Sequence, residues 1–81
     1  MSKIIDDPSV KFGSFIKVSR GTRPHRIVLR EVGGVQPFVT HFENMKIVDD
    51  DTYGSDGFYW GHYFDTYEQA LADFNERVKN F

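Results

Sequence analysis

Phe58-Tyr59-Trp60-Gly61-His62-Tyr63-Phe64 runs without a linker into Asp65-Thr66-Tyr67-Glu68-Gln69-Ala70-Leu71-Ala72-Asp73-Phe74. The second half of this stretch predicts a helix. Thr66 and Gln69 stand at capping-box spacing, and Asp65 with Glu68 offers a competing start one residue earlier. Tyr67, Leu71, Phe74, Val78 and Phe81 then recur at alternating intervals of four and three, with Ala70 beside them. That spacing makes one apolar stripe on a helix. Glu68 in the first turn and Arg77 and Lys79 near the end suit the helix dipole, and Asp73 with Arg77 reads as a surface pair four residues apart.

The first half predicts a strand, because side chains two apart share a face. Strict alternation puts Phe58, Trp60, His62 and Phe64 on one side and Tyr59, Gly61 and Tyr63 on the other. One helix covers one side of a small sheet, so the Phe58/Trp60/Phe64 side is assigned to the helix. Tyr59 and Tyr63 are left on a far, uncovered side.

Upstream, Val10, Phe12, Ile16 and Val18 alternate with Lys11, Gly13, Phe15 and Lys17, which predicts a half-buried strand with Phe15 outward. Arg20-Gly21-Thr22 supplies a turn, and Pro24 suits the start of a second strand running to about Val32. Ile27 and Leu29 form its inward pair, which turns Arg26, Val28, Arg30 and Val32 outward. The unbroken Ile27-Val28-Leu29 run also suits burial on both sides. Gly33-Gly34 is a hairpin signal, since both central positions of the favoured turn need positive φ. A third strand follows from about Pro37 to Val48, with Phe38 and Phe42 competing against Val39, Met45 and Ile47 for the inward face. Asp49 to Gly57, dense in turn formers and carrying four acids, reads as the one long loop. The expected fold is therefore α+β: a four-stranded antiparallel meander in the order 1-2-3-4 with one C-terminal helix packed across one face. Residues 1–81 read as a single domain with a loose start over residues 1–8.

Composition narrows the chemistry. There is no cysteine, so disulfides, thiolate zinc sites and a cysteine nucleophile are excluded. The N-terminus holds two consecutive apolar residues, Ile4-Ile5, among acids, which is neither a leader nor a membrane span, so a cytoplasmic protein with no membrane association is expected. The acidic loop fails the EF-hand pattern, because Tyr53 stands at a ligand position and Trp60 where the terminal glutamate belongs. His25, His41 and His62 fall on three strands with no short-range ligand spacing, so no metal or other cofactor is expected. Ser14, Ser19 and Ser55 lack a nucleophile context, and no catalytic residue is assigned.

Net charge is −2, with seven Lys/Arg against two acids in residues 1–30 and three against ten in residues 31–81. The far side of the sheet then gathers Phe15, Val28, Arg26, Arg30, Tyr59 and Tyr63, with Lys11 and Lys17 beside them. Three readings follow. A self-complementary apolar patch closed by a twofold homodimer or another protein partner is the first. Single-stranded nucleic acid, its bases stacked on the aromatics and its phosphates met by the cations, is the alternative. A small enzyme or ligand binder using Glu43 or Asp65 beside a histidine is a third.

Gly61-His-Tyr-Phe64 with Thr66, Glu68-Gln-Ala70, Asp73-Phe74 and Arg77-Val78 resembles the strand-to-helix ending of small uncharacterised bacterial proteins, among them accessory proteins of phages and other mobile elements. The resemblance covers about a quarter of the chain and implies no activity. The order of four strands followed by a helix is also similar to single-strand-binding folds of the transcription-coactivator and purine-element type, without their diagnostic motifs.

Overall fold

Why the first two strands end up at opposite edges of one sheet follows from the strand pairing in the computed structural model, which describes residues 3–17, 24–49 and 52–80. The strands are β1 (Lys3–Ile4), β2 (Val10–Lys17), β3 (His25–Glu31), β4 (Phe38–Asp49) and β5 (Thr52–Phe64), followed by helix α1 (Tyr67–Lys79). The sheet order is β1-β5-β4-β3-β2. Strands β2 to β5 form the expected antiparallel meander, and α1 lies across one face. Val18 and the turn at Arg20-Gly21-Thr22 lie outside the described residues, as do Asp50, Asp51 and Phe81.

The helix starts where the sequence places it. Thr66 is the N-cap, its hydroxyl accepting from the Gln69 amide while the Gln69 side chain accepts from the Thr66 amide. Phe12, Phe38, Tyr67 and Phe74 interlock between sheet and helix at centroid distances of 5.8 to 6.3 Å. Ala70 is the fully buried residue of α1.

Three features depart from the expected pattern. Gly33 and Gly34 do take positive φ, 78° and 87°, but the connection is longer than a two-residue turn and is closed by the Val32 amide donating to the Pro37 carbonyl. The stretch from Asp49 to Gly57 is not a long loop, because β4 continues to Asp49 and β5 resumes at Thr52. That distal hairpin reaches past the end of β3: the Met45 amide donates to the Pro24 carbonyl, and Tyr53 meets Phe15 edge-on at 5.9 Å.

The third departure concerns the expected loose start: the described residues 3–8 lie against the sheet. Lys3 and Ile4 pair in parallel with Thr52 and Tyr53 of β5, and the Ile5 amide donates to the Tyr53 carbonyl. Since β1 and β2 occupy opposite edges, residues 5–9 cross the face that α1 leaves open. Asp6 pairs there with Arg26, the Ser9 hydroxyl accepts from Arg30, and the Glu31 amide donates to the Ser9 carbonyl. The face expected to be uncovered is thereby roofed by the N-terminal segment and the curled hairpin. Val28, Val39 and Met45 on that face are fully buried, and so are Ile27 and Leu29, so β3 is buried on both sides.

Candidate functional site

The six residues expected to share one exposed surface do not stay together. Arg26 and Val28 are buried inside the chain, at 4% and 0% exposure. Arg26 donates from Nε to Glu43 Oε1 at 2.6 Å and from Nη2 to Asp6. Burial opposes its charge, but the two carboxylates outweigh that cost and hold its pKa above the usual guanidinium value. Gly13 makes room for the group, since a Cβ there would come within 2.6 Å of Arg26 Nη1. Arg30 lies with its guanidinium 4.1 Å from the centroid of Phe58 and bonds Ser9. Phe15 sits against Tyr53, with β3 and β4 between its strand and β5. Tyr59 and Tyr63 stay exposed on β5 but on opposite faces: Tyr59 is opposite Phe42 on the helix side, Tyr63 opposite Val39 on the far side.

A bulge explains the faces of β5. Thr40 is opposite His62 but Phe42 is opposite Tyr59, so three residues of β5 span two of β4, and Trp60 takes φ 55°. One extra residue reverses the alternation. His62 and Phe64 point to the helix side as expected, whereas Phe58 turns to the opposite face beneath Arg30 and beside His41, and Tyr59, expected on the far side, turns to the helix side opposite Phe42. Trp60 is not buried by the helix. It is 71% exposed, with its ring 5.3 Å from that of Phe42. Tyr59 (46%) and Tyr63 (54%) flank it along the outer edge of β5, which beyond Tyr53 has no paired strand among the described residues.

A polar network holds this bulge. Asp73 Oδ2 accepts from the Thr40 hydroxyl at 2.5 Å and lies 3.1 Å from His62 Nδ1. His62 Nε2 is 3.1 Å from Arg77 Nη2, and the same Nη2 donates to the Trp60 carbonyl at 2.5 Å. Arg77 Nε is 3.6 Å from Asp73 Oδ2. Burial lowers the Arg77 pKa, with Asp73 opposing the shift. Asp73 and Arg77 therefore do not form a simple surface pair. They follow Ala70 by three and seven residues, on the side of α1 that meets the sheet, and spacing from Ala70 was the signal that could have found them. A non-glycine residue at positive φ is uncommon and costs on the order of 1 kcal/mol or more, and the Arg77 bond to its carbonyl and the Phe42 ring against its indole offset that cost.

His41 is buried against Phe58 and Tyr63, with ring centroids at 5.4 and 6.2 Å, and its Nδ1 has no hydrogen-bond partner. Burial, and then the charges of Arg30 and Arg77, push its pKa down to about 4. Unfolding lets this imidazole take a proton near pH 6.5, whereas the folded chain resists until about pH 4. Its contribution to stability is complete above pH 6.5 and declines as the pH falls toward 4. The loss is on the order of 2 to 3 kcal/mol, which urea denaturation at several pH values will read. In His41→Phe the part of the slope due to this residue disappears.

Among the described residues no group of three or more His, Asp or Glu side chains is placed to hold a metal ion, and no helix is long and apolar enough to cross a membrane. Compared with protein-family models, curated proteins and solved structures, the chain matches none of them.

Proposed function

We propose that the chain is a small non-catalytic interaction module that works as a homodimer, joined through the exposed edge of β5. The observation that carries this reading is the run Tyr59, Trp60 and Tyr63: three large, half-exposed or more exposed aromatics within five residues, on a strand whose outer edge is unpaired beyond Tyr53 among the described residues. They offer roughly 300 to 400 Å² of accessible surface, enough for the centre of an interface that commonly buries about 800 Å² per partner. The bulge at Trp60 interrupts a regular ladder, so side chains rather than backbone carry the contact.

A second copy is the favoured occupant on charge. Residues 54–64 hold one acid, Asp56, and no Lys or Arg, so this edge meets its own image without repulsion near the axis. The nucleic-acid alternative loses support because Arg26 and Arg30, the cations expected to meet phosphate, are engaged within the chain. The acid-base alternative loses support because both nitrogens of His62 are already occupied, by Asp73 and Arg77.

Sedimentation equilibrium tests the reading. The wild type is expected to be dimeric at high micromolar concentration, and Tyr63→Asp monomeric with its helical circular dichroism intact. A Tyr63→Asp variant that stays dimeric would move the interface elsewhere, and binding of mixed-sequence oligonucleotides at low salt would favour the alternative.

A further inference from the structure

We infer that His62 is a proton-sensitive latch that sets whether Trp60 is held in its exposed, positive-φ conformation. The inference deepens the proposed function and rests on it for its biological meaning, because Trp60 is the centre of the β5 surface.

The latch follows from donor and acceptor counting. Arg77 Nη2 has only hydrogens to offer, and it faces His62 Nε2 at 3.1 Å. That contact is attractive only if Nε2 carries a lone pair, so the ring proton belongs on Nδ1, where Asp73 Oδ2 accepts it. Neutral imidazole therefore completes the chain from Thr40 through Asp73 and His62 to Arg77 and the Trp60 carbonyl. Protonation places an N–H on Nε2, so donor faces donor and a second positive charge stands beside the guanidinium. The Asp73 contact survives as an ion pair, and the Arg77 contact does not. Because Asp73 holds the protonated ring as an ion pair, the repulsion displaces Arg77, whose Nη2 faces Nε2 and also holds the Trp60 carbonyl.

The groups around His62 are consistent with this switching. From α1 it faces Asp73 and Arg77; from β4 its register partner is Thr40, which is uncharged; His41 lies on the other side of the sheet, against Phe58 and Tyr63. The side chain of His62 is 53% exposed, so solvent protons reach it without unfolding. Histidine is the side chain suited to changing charge between about pH 5 and 8. Once the carbonyl is released, the Phe42 ring contact is left to oppose the cost of positive φ at Trp60, and the backbone relaxes toward the ordinary extended region.

Trp60 is the only tryptophan, so its indole resonance and the red edge of its near-ultraviolet circular dichroism belong to it alone. Both are recorded from pH 8 to pH 5 on Tyr63→Asp and on wild type diluted until sedimentation shows monomer, with far-ultraviolet circular dichroism as the control for folding. The expected result is a reversible loss of the fixed tryptophan signal on acidification while the helix signal holds, and its absence in His62→Gln. An invariant signal in the monomer, or a transition that persists in His62→Gln, overturns the latch. Because the readout is made on monomer, failure of the dimer leaves the latch standing, and a dimer with a pH-invariant Trp60 removes the latch alone.

Discussion

Replacing Glu43 with alanine is expected to cost about 3 to 5 kcal/mol, the usual consequence of leaving one partner of a buried ion pair without the other. Glu43 is 1% exposed and receives the Arg26 Nε hydrogen bond at 2.6 Å, and Arg26 itself is 4% exposed. Asp6, half exposed on the crossing segment, then remains as the only counter-charge bonded to that guanidinium among the described residues. For a chain of this size a total stability of roughly 4 to 12 kcal/mol is ordinary, so the variant sits near the edge of folding. Urea denaturation by circular dichroism measures it. A loss no larger than that of Glu68→Ala on the exposed side of α1 would mean that the Arg26 site is hydrated. Arg26→Met with Glu43→Leu, which removes both charges and keeps apolar volume, is expected to recover much of the loss.

Met45→Ala is expected to cost about 2 to 5 kcal/mol, and by the same amount at every protein concentration. Met45 is fully buried on the face opposite the helix, although it lies beyond the end of β3, because the distal hairpin curls back and its amide is tied to the Pro24 carbonyl. If a second copy rather than the chain itself supplied the cover, the loss in thermal denaturation would grow on dilution. Concentration-independent melting shifts separate the two arrangements.

These two expectations mark where sequence reasoning reached and where it stopped. The helix was legible because capping and apolar period point the same way, and Thr66 and Gln69 do what their spacing predicts. The meander was legible from the turn signals, including the positive φ of Gly33 and Gly34. The roof over the second face was not. Ile4 and Ile5 are too short a run to announce a strand, and Asp6 and Asp7 look like ordinary surface acids until Arg26 and Arg30 are found beneath them. Counting faces by a strict two-residue period then made Val28 look exposed, whereas the Ile27-Val28-Leu29 run had left room for burial on both sides.

The edge of β5 was half legible. Tyr59 and Tyr63 are exposed, but strict alternation puts them on one face, and it misplaces Tyr59 as well as Phe58 and Trp60. No periodicity argument predicts which residue of an aromatic strand carries a bulge, since the choice is made by tertiary partners. Here the partner is Arg77, reaching from α1 to the Trp60 carbonyl. Asp73 and Arg77 looked like a solvated pair because charge and spacing alone do not say which side of a helix meets a polar patch of sheet.

The central claim, that the aromatic edge centred on Trp60 is buried against a second copy, is tested most directly by the emission of that single tryptophan across a dilution series. Spectra and acrylamide quenching are recorded from high micromolar to nanomolar protein at neutral pH, alongside sedimentation. The account predicts a blue-shifted, poorly quenched tryptophan at high concentration that moves to a red-shifted, freely quenched one along the same curve as the change in mass. A tryptophan that is red-shifted and fully quenched at every concentration, in a chain that sediments as a monomer throughout, would contradict it.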